Sequence, residues 1–250
     1  MVISASGGSS ETVEAMRRHL GTSRVVALTN RAGSPLAEHA DVCVDVLAGE
    51  EAGGIACRSF ACTQAVLALM CGRPADEILR AAEAAATLID GRGGWLEALA
   101  GTAEGAAGVW AAAPAERFGT AQQSALMLRE APRIVADACE TGDWLHVDVY
   151  LTKRPRYALL LLTGSRYDAE VLEWREKREF AVIAVGEGIA AADLQIPFPG
   201  AGEHTVAAIA ATTRRSAPSN LIAASAPAAS RPTDTSRKSR SRRQPATSAS

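Results

Sequence analysis

The chain has 250 residues, 48% hydrophobic and 22% charged, enough for one large domain or two small ones and too apolar for disorder throughout. Its formal charge of −2 hides an asymmetry: residues 214 to 250 hold eight Arg/Lys and one Asp, leaving 18 basic and 27 acidic residues ahead of them. So acidic a body excludes nucleic acid as an expected partner. No segment reaches the roughly 18 uninterrupted apolar residues of a membrane span, and MVISASGGSSE has neither the basic nor the apolar region of a leader; the sequence reading is a cytoplasmic protein with no membrane partner.

Taken in chain order, short apolar runs predict strands at 2–4, 24–29 (RVVALT), 42–46 (VCVDV), 108–111, 157–163 (YALLLLT), 180–185 (FAVIAV) and 194–198. Their near-continuous apolarity is that of buried parallel strands. Helical periodicity predicts helices at 10–20, 54–71, 74–88, 116–138 and 168–178. Strand alternating with helix implies an α/β fold built on parallel sheets. The order recurs, over residues 1–72 and again over 107–213, with an all-helical connector at 73–106 that contains Pro74 and the turn GRGG. The second copy has a strand and helix at its front that the first lacks, so the first half reads as shortened at its N-terminus. From about Arg214 a mixture of Ser, Ala, Pro and Arg predicts a disordered basic tail, 214–250.

Cys43, Cys57, Cys62, Cys71 and Cys139 form no C-x-x-C pair, and the four histidines complete no zinc spacing. They read as reduced and mostly buried, and neither metal nor cofactor is expected. Gly49-Glu50-Glu51 has adjacent carboxylates but no second acidic pair at metal spacing.

The first strand runs into Ser4-Ala5-Ser6-Gly7-Gly8-Ser9-Ser10-Glu11-Thr12 and then a helix with Val13, Met16 and Leu20 on one side. Strand, Ser/Gly loop and helix start form a phosphate cradle: hydroxyls of Ser4, Ser6 and Ser9 and the helix amides donate, and glycine allows close approach. The same residues also fit simple helix capping. Ser165-Arg166-Tyr167-Asp168 occupies the corresponding turn of the second copy, where capping is the expected role.

Residues Ser4 to Thr12 match S-x-S-G-x-[ST]-x-[DE]-T, the phosphosugar loop of the sugar isomerase (SIS) family. The stretch ALTNRAGSPLAEHADVCVDVLAGEEAGGIACRSF, with Asn30, Ser34, Leu36, Asp41, Gly49, Glu51 and Phe60 in register, resembles the same family, as does SALMLREAPRIVADACETGDWLHVDVY in the second half. The resemblance spans about 1 to 200 and is to the isomerase part of the glucosamine-6-phosphate synthases. It implies two flavodoxin-like, three-layer halves, Thr12 beside Ser4, Ser6, Gly7 and Ser9 at the sugar phosphate, and a homodimer. By position it makes Glu130 the base that moves a proton between C1 and C2, and His146 the group that assists ring opening. Glu51 becomes a carboxylate near the facing subunit. Glu130, late in an apolar-faced helix, is expected to be partly buried.

The chain departs from that pattern at three places. Met127 stands where the synthases have lysine, Arg58 replaces another lysine, and Val147-Asp148 follows His146 in place of Gly-Pro. The expected activity is therefore that of an aldose–ketose isomerase or deglycase on an (amino)sugar 6-phosphate. The alternatives are a non-catalytic phosphosugar sensor and an inactive remnant.

Overall fold

The computed structural model describes residues 1–51, 55–186, 189 and 191–198. The sequence-predicted tail at 214–250 and the end of the second half lie outside the described residues. Two parallel sheets organise the fold. The first, in order β1-β2-β3, contains β1 (Val2–Ile3), β2 (Val26–Thr29) and β3 (Val42–Asp45). The second has the order β5-β4-β6-β7-β8, from β4 (Gly108–Ala113), β5 (Ala136–Glu140), β6 (Tyr157–Leu162), β7 (Ala181–Val185) and β8 (Leu194–Ile196). Every strand pair is parallel. The second sheet has the flavodoxin-like order, and the first repeats its last three positions.

Helices cover both faces of each sheet. In the first half, α1 (Ser10–Arg17) and α2 (Pro35–His39) bury Met16 and Leu36 against Val25 and Ala27, while α3 (Cys57–Met70) brings Cys62, Val66 and Leu67 to Leu28 and Val46 on the other face. In the second, alternate residues of β6 divide between two clusters. Leu160 and Leu162 meet Ala121, Ala125 and Leu128 of α6 (Phe118–Glu130), whereas Leu159 and Leu161 meet Trp144 of α7 (Thr141–His146) and Val171 of α8 (Asp168–Lys177). That two-sided burial is why YALLLL carries no polar alternation. The connector also contributes to this core: Ala84 and Leu88 of α4 (Ala75–Asp90) and Leu99 and Ala103 of α5 (Leu96–Gly105) join the α6 side.

The helix predicted over 116–138 is shorter than expected. It ends at Glu130, just ahead of Ala131-Pro132, because Pro132 has no N–H with which to continue the helical ladder. Arg133 then takes a left-handed turn with φ 58°, and the chain enters β5, a strand the sequence reading missed. Its residues Ala-Asp-Ala-Cys-Glu have weak strand preference, and their pairing with β4 overrides it. The cysteines differ as well: of the five, only Cys139 is buried, while Cys43 and Cys71 are exposed. Among the described residues no helix is long and apolar enough to cross a membrane.

Trp144, fully buried, donates its indole N–H to the buried Tyr157 hydroxyl at 2.8 Å, beside Phe180. Tyr157→Phe leaves that N–H without an acceptor inside an apolar cluster, so it is expected to destabilise the protein by about 1–3 kcal/mol. The shift in urea midpoint at unchanged slope measures it.

Candidate functional site

Parallel pairing puts the loops that follow β1, β2 and β3 at one edge, the position where open α/β sheets hold ligands. The loop after β1 turns sharply. Gly7 has φ +64°, its N–H donates to the Ser4 carbonyl at 3.0 Å, and its own carbonyl accepts from Leu36 N–H at 3.1 Å. A Cβ here would overlap the Ser34 hydroxyl and come within 2.8 Å of Thr29 Oγ1. Only glycine lets the loop lie this low over β2.

The serines of the loop are not used as helix caps. Ser9, at the N-cap of α1, makes no side-chain bond to the helix; its hydroxyl pairs with that of buried Ser4 at 2.9 Å. Ser6 Oγ accepts from Gly8 N–H at 3.3 Å, and the Ser10 hydroxyl donates to Glu11 Oε2 at 3.3 Å. The first-turn amides of α1 therefore receive no side-chain cap, and a partial positive charge faces the loop. Thr12 lies half-buried in that first turn.

Asn30, just beyond β2, joins this loop to the chain after β3. Its backbone N–H donates to the Ala5 carbonyl at 3.1 Å, its Oδ1 accepts from Ala48 N–H at 2.9 Å, and its Nδ2 donates to the Gly49 carbonyl. Two residues on, Glu51 Oε1 accepts from both Ser59 N–H at 2.6 Å and the Ser59 hydroxyl at 2.9 Å, which closes the first turn of α3. Sequence reasoning placed Asn30 in register but gave it no task, and it did not single out Ser59. A side-chain amide directly after a strand was the available signal.

At the start of α3, Cys57 Sγ approaches Met127 Sδ of α6 at 3.4 Å, joining the two halves. Burial, then Glu51 and Glu130, push the Cys57 thiol up to about 11. Glu130 is exposed, contrary to the expected partial burial, because it is the last residue of α6, where the helix runs out beyond the sheet. Its neighbour Arg129 donates to the Ala136 carbonyl at 2.7 Å. His146 is exposed at the end of α7. Helices α6 and α7 cover opposite faces of the second sheet, so the chain does not bring Glu130 and His146 onto one face.

The corresponding turn of the second half is closed by its own groups. Asp168 Oδ2 accepts from Gly164 N–H at 2.6 Å, buried Arg117 donates to the Thr163 carbonyl, and a Cβ on Gly164 would collide with the Arg117 guanidinium. Burial pushes the Asp168 carboxyl up. Burial likewise pushes up Cys139, which lies near Asp148. Among the described residues no cluster of three or more His, Cys, Asp or Glu side chains is arranged to hold a metal ion.

No family model matches the sequence, and no curated protein matches it. Solved structures do match the fold. The C-terminal domain of glucosamine-fructose-6-phosphate aminotransferase from Francisella tularensis is 14% identical with a TM-score of 0.70, over 84% of this chain and 67% of that one. Glucosamine-6-phosphate deaminase from Thermotoga maritima is 19% identical with a TM-score of 0.66, over 84% and 67%. Tagatose-6-phosphate ketose/aldose isomerase from Escherichia coli is 17% identical with a TM-score of 0.61, over 84% and 66%. The chain thus spans about two thirds of the length of these proteins. It has the tandem sugar-isomerase-type fold, similar to the isomerase part of the glucosamine-6-phosphate synthases.

Two measurements test the geometry. Gly7→Ala is expected to lower the melting temperature and disorder the loop, whereas Gly8→Ala, where a Cβ meets nothing closer than 4.0 Å, should leave the melt within about a degree. Iodoacetamide at pH 8 should alkylate exposed Cys43 and Cys71 well before Cys57, whose thiol stays protonated below about pH 11; peptide mass spectrometry reads the order.

Proposed function

We propose that this chain binds a phosphorylated sugar, with the phosphate held by Ser4, Ser6, Gly7, Ser9 and the first turn of α1 at Thr12. The observation that carries the reading is the uncapped start of α1: Ser9 turns its hydroxyl to Ser4, so the helix amides remain available to an anion. The reaction proposed is a proton shift between C1 and C2 of an (amino)sugar 6-phosphate, in an aldose–ketose isomerase or a deglycase. Glu130 is the base, and no cofactor takes part. His146 assists ring opening from a second copy, because its own helix covers the opposite sheet face from α6. A homodimer in the cytoplasm follows as part of the same reading.

A specific observation favours a second reading, a phosphosugar sensor without turnover. Met127, where the resemblance implies lysine, is only 1% exposed and touches Cys57, so no cation stands one turn from Glu130 at that position.

Glucosamine 6-phosphate at about a hundredfold excess over its Kd should raise the melting temperature by about 5–10 °C, and Ser4→Ala should reduce the rise. If glucosamine 6-phosphate, fructose 6-phosphate and inorganic phosphate all leave the melt unmoved, the phosphate loop is wrongly assigned. Wild-type protein should exchange the C2 proton of the bound sugar with deuterated solvent, and Glu130→Gln should slow this by about 10²–10⁴ with the thermal shift preserved. Binding without exchange in the wild type selects the sensor. Light scattering checks the dimer.

A further inference from the structure

The chain after β3 is not a relaxed turn. Leu47 has φ 55° and is 81% exposed, and Gly49 has φ 69°, so two left-handed residues lie within three positions. A leucine in that region persists only where neighbours hold the backbone. Several side chains hold it, among them Arg58, whose Nη1 donates to the Glu50 carbonyl at 3.3 Å. Asp45 Oδ1 accepts from Leu47 N–H at 2.8 Å, and Val46 N–H donates to the Thr29 carbonyl at 3.1 Å. The Asn30 side chain then takes both Ala48 N–H and the Gly49 carbonyl.

Asn30 pairs with this segment as a further peptide unit would, one acceptor and one donor in a plane. Asp lacks the donor and Ala lacks both. Because the Asn30 backbone N–H also grips the Ala5 carbonyl, one residue spans the phosphate loop and the path to Glu51. Glu51 is in turn anchored through one oxygen to Ser59. Its other oxygen has no hydrogen-bond partner among the described residues, and Glu51 is two positions from the Asn30 clamp.

We infer that Asn30 is a positioning residue that sets Glu51 beside the phosphate loop of its own chain, so that Glu51 meets the sugar whose phosphate that loop holds. This rests on the phosphosugar reading above. It gives Glu51 a place in the site of the same chain, where the family resemblance implied the facing subunit.

A binding cycle on the full chain tests it, with titration calorimetry against inorganic phosphate and against glucosamine 6-phosphate. Glu51→Gln should weaken the sugar phosphate about tenfold and inorganic phosphate less than about threefold. Asn30→Ala should do the same. The double variant should be no weaker than Glu51→Gln alone, within about threefold, because a residue acting through Glu51 adds nothing once Glu51 is gone. Losses that multiply to about a hundredfold, or an Asn30→Ala loss equal for both ligands, overturn the inference and leave the phosphosugar reading standing. Wild-type protein that binds neither ligand overturns both. If Asn30→Ala does not melt cooperatively, Asn30→Asp, which keeps the acceptor for Ala48, takes its place in the cycle. Failure of both to fold makes Asn30 structural and also overturns the inference.

Discussion

Parallel strand pairing fixes where chemistry can occur in this chain. Because β1, β2 and β3 all run the same way, the three loops that leave them meet at one edge, and each must be satisfied there without a returning hairpin. The close seat of Gly7 over Ser34 and Thr29 draws the first loop down onto the second strand. Asn30 then links both to the chain after β3. The loop cradle, the Glu51 segment and the start of α3 are consequences of that shared edge. A two-residue β1 suffices because its role is to deliver the loop.

The second half supplies the larger core. Its sheet is buried on both faces by α4, α5 and α6 on one side and α7 and α8 on the other, and β6 has all six residues buried. Such a core holds α6 rigidly enough that Met127 meets Cys57 of the first half, and Glu130 is presented just beyond it. The sulfur contact has little polarity, so the position gains apolar packing between halves where the resemblance implied a lysine.

How much of this is legible in the sequence depends on whether local preference and tertiary pairing agree. Strand β6 is legible because YALLLL is apolar on both faces, and the turn between β1 and α1 because a Ser/Gly run follows a short apolar strand. Strand β5 is not, since Ala-Asp-Ala-Cys-Glu becomes a strand only through pairing with β4, and Pro132 was the local sign that a helix could not run through to it. The exposure of Glu130 is illegible for a related reason. Apolar periodicity shows which face of α6 is buried, but where the helix end lies relative to the sheet is set by packing. Asn30 and Ser59 were visible as residue types, yet their partners lie 18 and 8 positions away, beyond any local pattern.

The two halves repeat one architecture, and their equivalent turns are closed by different groups. After β6 the chain places Asp168 at the start of α8, where its carboxylate takes Gly164 N–H, and Arg117 fills the space beneath Gly164. The carboxylate ties down the turn ahead of α8, whose own first-turn amides receive no side-chain cap, and the cation beside it is held by the Thr163 carbonyl. After β1 the equivalent turn has serines in place of the carboxylate, and the most suitable cap, Ser9, bonds to Ser4. Both helix starts have an acidic residue in the first turn, Glu11 in α1 and Asp168 in α8, and neither has a side-chain cap; what differs is the floor of the turn. The second turn is filled from within by the Asp168 carboxylate and the Arg117 guanidinium, whereas the first is lined by hydroxyls, and that difference is the ground for proposing the phosphate site at the first.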